Sequence, residues 1–568
     1  MSSVITTEAV PAPSLQRRLP LQRYACYAAL LLAFMAMAAI RVRLRNAPLE
    51  RDEGEYAYMG QLMLHGVPPY EVAYNMKLPG TYAAYALLMA VFGETTAGIR
   101  LGMIVVTTAT AFLVFLLGKR LHGLIAGTVA GVTYIFLAIR PSVMAIDGHA
   151  THFVVLAALA GLLLLLHAME RQKPLLFFAS GLAFGVSYLM KQPGILFGVF
   201  AGVHWLWNEA KRPFLWRRVL LRGSALLLGA ALPYGFTCLV MVHAGVFQTF
   251  WFWTWRYALE YGTLTSLSNA WIFLKATLPW AVRPLVLWAL VLLGLAAPLW
   301  SRRARAHAGL VAGFFITGWL VVSSGLYFRP HYYIAVLPAA AVCVGIAVES
   351  MQSWLMTTNF KRLALIPILY FAAAYCASVH GQWKTYLSLE PAQLTTKMHL
   401  VQVFAKAVGV AELIQSSSSP GDQIGIIGSE PEICFYTRLR CTGGYLYMYP
   451  LMEKQKYAKE MQDDLRSSFE RRHPRFLVYV DAERSWGWEH TLRDNRAFFD
   501  WAWAYSHSGY TLVKEVPIPS DYEEVKSDHL WGDRAQLYLF ESTDELAAPK
   551  APSSPTKVSS KSSHGMTR

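Results

Sequence analysis

Eleven apolar runs constrain this chain more than any other feature. They lie near residues 24–42, 99–118, 123–139, 152–168, 174–190, 194–208, 219–243, 284–300, 308–327, 331–349 and 362–380. A helix needs roughly 17 to 25 apolar residues, rising about 1.5 Å each, to cross about 30 Å of hydrocarbon. Composition agrees, since 15% of the 568 residues are charged against about 25% in soluble domains. A soluble enzyme, a fibrous protein and a disordered chain are excluded. The first run is followed by Arg41, Arg43 and Arg45 instead of a small-residue cleavage site, so it reads as a retained span and not a signal peptide.

Charge sets the orientation. There are 51 Lys and Arg against 36 Asp and Glu, and the excess gathers in loops. Basic clusters fall at Lys119-Arg120, Arg171 to Lys173, Lys211-Arg212 with Arg217-Arg218, Arg302-Arg303-Arg305, and Lys361-Arg362. All five share one side if the amino terminus is cytoplasmic and each of the eleven runs crosses once. Residues 1–23 are then a cytoplasmic segment, and 43–98, 140–151 and 244–283 are outer loops. Two short segments are expected not to cross. Residues 80–93 reach only about 21 Å as a helix and read as partly inserted or interfacial. Residues 54–66 read as an amphipathic helix lying on the membrane surface. Inner loops and the tail account for the basic residues, so nucleic-acid binding gains no support.

From about Glu390 the pattern becomes soluble. Strand-like stretches at 423–428, 475–480, 511–518 and 535–541 alternate with charged helical segments at 450–472 and 489–507. The expected architecture is therefore mainly α: a polytopic bundle of about 11 transmembrane helices over 24–389, then a small extracytoplasmic α/β domain over 390–545. The Ser/Pro/Lys-rich end, 546–568, is expected to be disordered. Four of six cysteines lie in apolar runs. Cys434 and Cys441 flank a short segment of the outer domain, where a disulfide across a hairpin can persist.

Polar residues collect at the outer loop ends. The first loop carries Arg51-Asp52-Glu53-Gly54-Glu55-Tyr56 and later Lys77, and the second carries Asp147 and His149. Taken singly, Asp52 reads as the cap of a helix starting at Glu53, and Asp147 as another N-cap. Lys191 could snorkel to the interface, and Arg329, His331 and Tyr332 could anchor a span. Taken together they describe a cavity at the outer interface that holds carboxylates and cations. Such a cavity suits an acceptor that loses a proton and a leaving group that gains negative charge.

The order of these motifs over residues 20–350 resembles the GT-C membrane glycosyltransferases, in particular the protein O-mannosyltransferase and aminoarabinose-transferase-like family. Asp52-Glu53 stands where that family has an Asp-Glu pair after the first span. Lys77-Leu78-Pro79-Gly80 is similar to its Lys-Pro-Pro element, and Phe92-Gly93 with Arg100-Leu101 to its Phe-Gly and Arg-Leu. Asp147 matches an Asp in the next outer loop, Lys191-Gln192-Pro193-Gly194 a Lys-Gly-Pro turn, and His331-Tyr332 through Pro338 a basic-Tyr-Leu-Leu-Pro span start. Leu78 and Gln192 depart from the family pattern.

The resemblance implies a GT-C fold and transfer of a sugar, with inversion, from a polyprenyl-phosphate-linked donor to a protein, lipid or glycan acceptor at the outer face. In that scheme Asp52 orients or deprotonates the acceptor hydroxyl. Glu53 and Asp147 bind the acceptor or steady the oxocarbenium charge, and Lys77, Lys191 and Arg329 hold the donor phosphate. Arg51, Tyr56, His149, His331 and Tyr332 are the remaining substrate-binding candidates. No local ligand spacing asks for a metal, and no cofactor is expected. A secondary transporter of a small polar or anionic solute is the alternative, although transporters usually bind at the midplane between repeated halves, and no repeat is visible.

Overall fold

The computed structural model describes residues 13–213, 215–487, 495–519 and 535–543; the tail at 546–568 lies outside them. Every apolar run is a helix. The first nine longer helices are α1 (Pro13–Arg43), α2 (Arg51–Leu64), α3 (Pro79–Phe92), α4 (Thr96–His122), α5 (Leu124–Leu137), α6 (Ala150–Arg171), α7 (Pro174–Met190), α8 (Ile195–Glu209) and α9 (Trp216–His243). Helices Leu285–Ala296, Arg302–Ser323, Leu337–Thr357 and Ile366–Leu387 complete the bundle. The chain is a multi-pass membrane protein. Among the described residues seven helices are long and apolar enough to cross a membrane, eight if one bent pair counts as a span.

Two sequence expectations about the bundle change. The segment 244–283 is not simply a loop. It contains the apolar helix Leu267–Ala281, which forms a pair bent by 99° with the run at 285–299. The run at 123–139 yields a helix of 14 residues, the same length as α3. Gly123, at φ +97°, ends α4, and the chain turns again at Ala138, whose N–H bonds Tyr134. Length alone therefore does not separate α5 from α3.

Helix α2 also departs from expectation. It is not a surface helix, because residues Glu53 through Leu62 are all buried. It packs on α3 and is covered from the C-terminal domain by the helix Glu432–Thr437. The approach is so close that a Cβ on Gly54 would lie 2.6 Å from the Glu432 nitrogen.

The C-terminal domain carries a five-stranded sheet in the order β2-β1-β3-β5-β4. β1 (Gln423–Ile427) pairs in parallel with β2 (Arg440–Thr442) and β3 (Phe476–Asp481), while β5 (Ala535–Ser542) is antiparallel to β3 and to β4 (Tyr510–Ile518). The apolar face of helix Val403–Ser417, formed by Val403, Ala407, Val410, Ala411 and Ile414, is buried, the spacing of a core-facing helix. Cys434 and Cys441 are bonded with Cα atoms 6.0 Å apart, joining a helix to the edge strand instead of crossing a hairpin. The domain is seated on the segment between α1 and α4. The Cys441 N–H donates to the Tyr58 hydroxyl at 2.9 Å, the Leu49 N–H to the Tyr436 hydroxyl at 2.8 Å, and the Tyr74 N–H to the Gly444 carbonyl at 3.0 Å.

Candidate active site

The start of α2 decides where its acids point. Pro48 precedes the helix, and Glu50 is the N-cap, its carboxylate accepting from the Glu53 N–H at 3.0 Å. Asp52 is therefore not the cap. Likewise α6 begins at Ala150 with His149 before it and no side-chain cap, so Asp147 does not cap it either. Both carboxylates are released from the helix-end roles that the sequence offered them. Helical spacing then sorts the acids: Asp52, Glu55 and Tyr56 share one face at i, i+3 and i+4, and Glu53 is turned roughly 100° away.

On the first face Lys77 sits between two carboxylates. Its ammonium donates to Asp52 Oδ1 at 2.7 Å, to Glu55 Oε2 at 2.6 Å and to the Tyr447 hydroxyl at 3.1 Å, and it lies over the Tyr56 ring at 4.6 Å. Burial opposes its charge, yet Asp52 and Glu55 hold its pKa up at about 12. Burial works against the Asp52 anion too, but Lys77, backed by His331 and His149, keeps that carboxyl well below the ordinary range. Glu55 is pinned further by the Tyr82 hydroxyl at 2.6 Å and the Asn75 amide at 3.0 Å. The second oxygen of Asp52 lies 3.7 Å from His331 Nε2. His331 stacks on His149 with centroids 4.1 Å apart and meets Tyr332 at 4.8 Å. Lys191 lies 3.7 Å above the Tyr332 ring, and burial lowers its pKa to about 7 against the pull of Asp52. Arg329 lies over Tyr327 at 5.6 Å. Among the described residues no carboxylate stands within ion-pair distance of Lys191 or Arg329.

The second face leads into a dry network. Glu53 is bound by both terminal nitrogens of Arg100, the Nη2 contact at 2.7 Å, and accepts from the Gly148 N–H at 2.5 Å. Arg100 also stands 3.3 Å from Asp147. The other oxygen of Asp147 meets His399 at 3.0 Å, which, with Arg100, holds that carboxyl below its usual pKa although burial raises it. Gly148 is required here, since a Cβ would collide with the Tyr85 hydroxyl.

Sequence reasoning placed Asp52, Lys77 and Asp147 in one wet pocket. The structure gives a continuous polar chain with two environments. The Asp52 and Lys77 side chains are 16% and 20% exposed, whereas Glu53 and Asp147 are 0% and 5% exposed. Glu53 and Asp147, expected to touch substrate, share the Arg100 guanidinium, and His149 stands 4.0 Å from Asp147. Arg51 is likewise not free for substrate. It bonds the Ser429 carbonyl at 2.5 Å, Glu430 at 3.1 Å and the Tyr449 hydroxyl. His149 is buried, and neither ring nitrogen makes a hydrogen bond. Sequence reasoning missed Glu55, Arg100 as a partner, Tyr447 and His399. Glu55 was within reach, as it repeats Asp52 three residues on; the last two are hundreds of residues away.

Asp52, His149 and His331 each offer one ligand atom, all within 4.8 Å of one another. A divalent cation could be held there, with the Lys77 ammonium on the same carboxylate opposing it. No side chain here is an activated nucleophile. The arrangement offers one ionised carboxylate beside uncompensated cations, which suits transfer of a group away from a phosphate.

Residues 77–236 match the family model described as dolichyl-phosphate-mannose-protein mannosyltransferase. An undecaprenyl phosphate-alpha-4-amino-4-deoxy-L-arabinose arabinosyl transferase of Pseudomonas aeruginosa is 27% identical over 314 residues, 52% of this chain and 54% of that one. The chain thus spans about half the length of the curated relatives it matches. The crystal structure of ArnT from Cupriavidus metallidurans in the apo state superposes with a TM-score of 0.54 at 16% identity, covering 92% of this chain and 99% of that one. The same enzyme bound to undecaprenyl phosphate gives 0.54 at 17% identity, with the same coverage. The chain shares the fold of ArnT, and in sequence it is similar over part of its length to the dolichyl-phosphate-mannose-protein mannosyltransferase model and to the arabinosyl transferase.

Proposed function

We propose that this protein is an integral membrane glycosyltransferase that moves a sugar from a polyprenyl-phosphate-linked donor to an acceptor hydroxyl or phosphate, with inversion. The site faces outside, with the amino terminus cytoplasmic and the C-terminal domain extracytoplasmic. The observation that carries this reading is that the partly exposed Asp52 lies within electrostatic reach of Lys191 and Arg329, two cations with no carboxylate at ion-pair distance among the described residues. Lys191 and Arg329 would receive the donor phosphate as its charge grows, the electrostatic contribution that usually dominates catalysis. Lys77 is already matched by Asp52 and Glu55, so it assists through its remaining positive field.

Asp52 stays ionised and is therefore a weak base. Its role is to orient the acceptor hydroxyl and to take the proton late, once the anomeric carbon has oxocarbenium character and the hydroxyl has become acidic. Glu53, Asp147 and Arg100 hold the loop that presents His149. The names of the relatives support a polyprenyl phosphate of the undecaprenyl or dolichyl class. Three cations supply the charge that phosphate departure needs, so the reading requires no metal. Dialysis against EDTA should leave transfer unchanged; a loss that a divalent ion restores would assign that charge to a cation on Asp52, His149 and His331.

The test is sugar transfer by the purified full chain in lipid nanodiscs, given a radiolabelled polyprenyl-phosphate sugar. Asp52→Asn should cut transfer by about 10² to 10⁴-fold while the protein folds as before. Full transfer by Asp52→Asn would sink the role of Asp52. Uptake of a labelled solute into vesicles without any transfer would favour a transporter.

A further inference from the structure

Tyr447 belongs to the C-terminal domain, beyond β2, yet its hydroxyl reaches the site between Asp52 and Lys77. It lies 3.0 Å from Asp52 Oδ1 and 3.3 Å from the Arg51 carbonyl, and it accepts from Lys77 Nζ at 3.1 Å. The Lys77 ammonium also stands 5.0 Å from its ring. A phenol has one proton to give. A charged carboxylate takes it ahead of a neutral carbonyl; Glu55 also acts on this hydroxyl, but the hydrogen bond at 3.0 Å goes to Asp52.

The segment that presents this hydroxyl is fixed on both sides. Leu446 and Met448 are buried, and the Met448 N–H donates to Ser429 Oγ at 2.8 Å. Ser429 and its neighbour Glu430 hold Arg51, the residue directly before Asp52. Tyr449 adds a hydrogen bond and a ring face to the same guanidinium. Membrane-domain and outer-domain residues are thus interlocked one position away from the candidate catalytic carboxylate.

We infer that Tyr447 is a positioning residue for Asp52 and Lys77, so that the transfer centre is complete only when the C-terminal domain is docked on α2. The inference rests on the glycosyltransferase reading and gives the outer domain a part in it. Lys77 and Tyr447 together hold Asp52 by Oδ1. That leaves Oδ2, on the His331 side, to address the acceptor. Without the phenol the carboxylate turns about its last torsion, and Lys77 loses the neutral partner that offsets its pull.

Tyr447→Phe keeps the ring and removes only the hydroxyl. In full-length protein it should lower kcat about 10- to 100-fold, the range for a lost hydrogen bond to a charged group. KM for the donor should stay within about twofold and the melting temperature should match the parent, since the site's cations and the packing are intact. Tyr445→Phe is the control: its hydroxyl bonds Asp464 at the surface, and its loss should leave transfer unchanged. If Tyr447→Phe does not accumulate, 3,5-difluorotyrosine incorporated at 447 keeps the ring and the donor and must itself change kcat. The inference is overturned if Tyr447→Phe, or the fluorinated protein, turns over like the parent while Asp52→Asn is inactive. If Asp52→Asn is as active as the parent, the glycosyltransferase reading of the site fails first and takes this inference with it.

Discussion

Asp52 and Glu53 are adjacent in sequence and live in different solvents. Asp52 sits in a partly wet cluster where Lys77 is shared with Glu55; Glu53 sits in a dry one where Arg100 is shared with Asp147. Both clusters set two carboxylates on one cation, and among the described residues each has further cations without a carboxylate within ion-pair distance: Lys191 and Arg329 near the first, and near the second the buried Arg41, whose guanidinium bonds the Ile146, Ala138 and Ala145 carbonyls. The difference teaches that an acidic pair at the start of a helix divides its labour by helical angle. One acid faces the partly exposed cluster, and its neighbour ties the start of α2 to the segment at 147–148. A wet cluster can lose one charge and still be solvated. A dry one cannot, because an unpaired buried ion has no water to fall back on.

The strongest way to break this comparison is at Arg100. Arg100→Gln leaves Glu53 and Asp147 buried without their common partner, and removing one member of a buried pair costs about 3 to 5 kcal/mol. The expected outcome is a large drop in melting temperature and yield in detergent, with Glu53→Gln in the same chain recovering part of it. Asp52→Asn should do the reverse, losing transfer while melting like the parent. If Arg100→Gln melts normally and loses only turnover, the dry cluster belongs to the chemistry and the division drawn here is wrong.

Much of this was legible in the sequence, for physical reasons. Apolar runs are local, so each of the eleven runs was legible as a helix, although Leu267–Ala281 was read as loop; four of the five described strands were visible too, and β2, three residues long, offers no pattern to read. Asp52, Lys77, Lys191 and His331, grouped from the sequence, fall in one cluster of the structure, and each sits beside the end of a helix, where sequence order tracks depth. What failed depended on distant cover. The surface reading of α2 fails because the helix Glu432–Thr437 lies over it, and no periodicity within α2 announces that. The contact of Arg51 with Glu430 could not be read either, since the two are 379 positions apart. Tyr447 and His399 left no signal at all. The crossing count was legible only in part, since α3 and α5 have equal lengths and the orientation rests on treating them differently.

A finer test lies within the wet cluster, at Lys191. Its neighbours are the Tyr332 ring, Asp52, Lys77, Arg329 and His331, and burial lowers its pKa to about 7. Two consequences carry opposite signs. Phosphate binding needs the ammonium, so kcat/KM for the donor should be flat below about pH 7 and fall about tenfold per unit above it, near 1.4 kcal/mol at pH 8. Stability should move the other way. The unfolded chain keeps Lys191 protonated up to its ordinary pKa while the folded one releases the proton, so melting should rise modestly with pH above about 7. Lys191→Arg stays charged throughout and should flatten both profiles. A parent kcat/KM that stays level from pH 6 to 9 would remove Lys191 from the phosphate site and leave Arg329 to hold it.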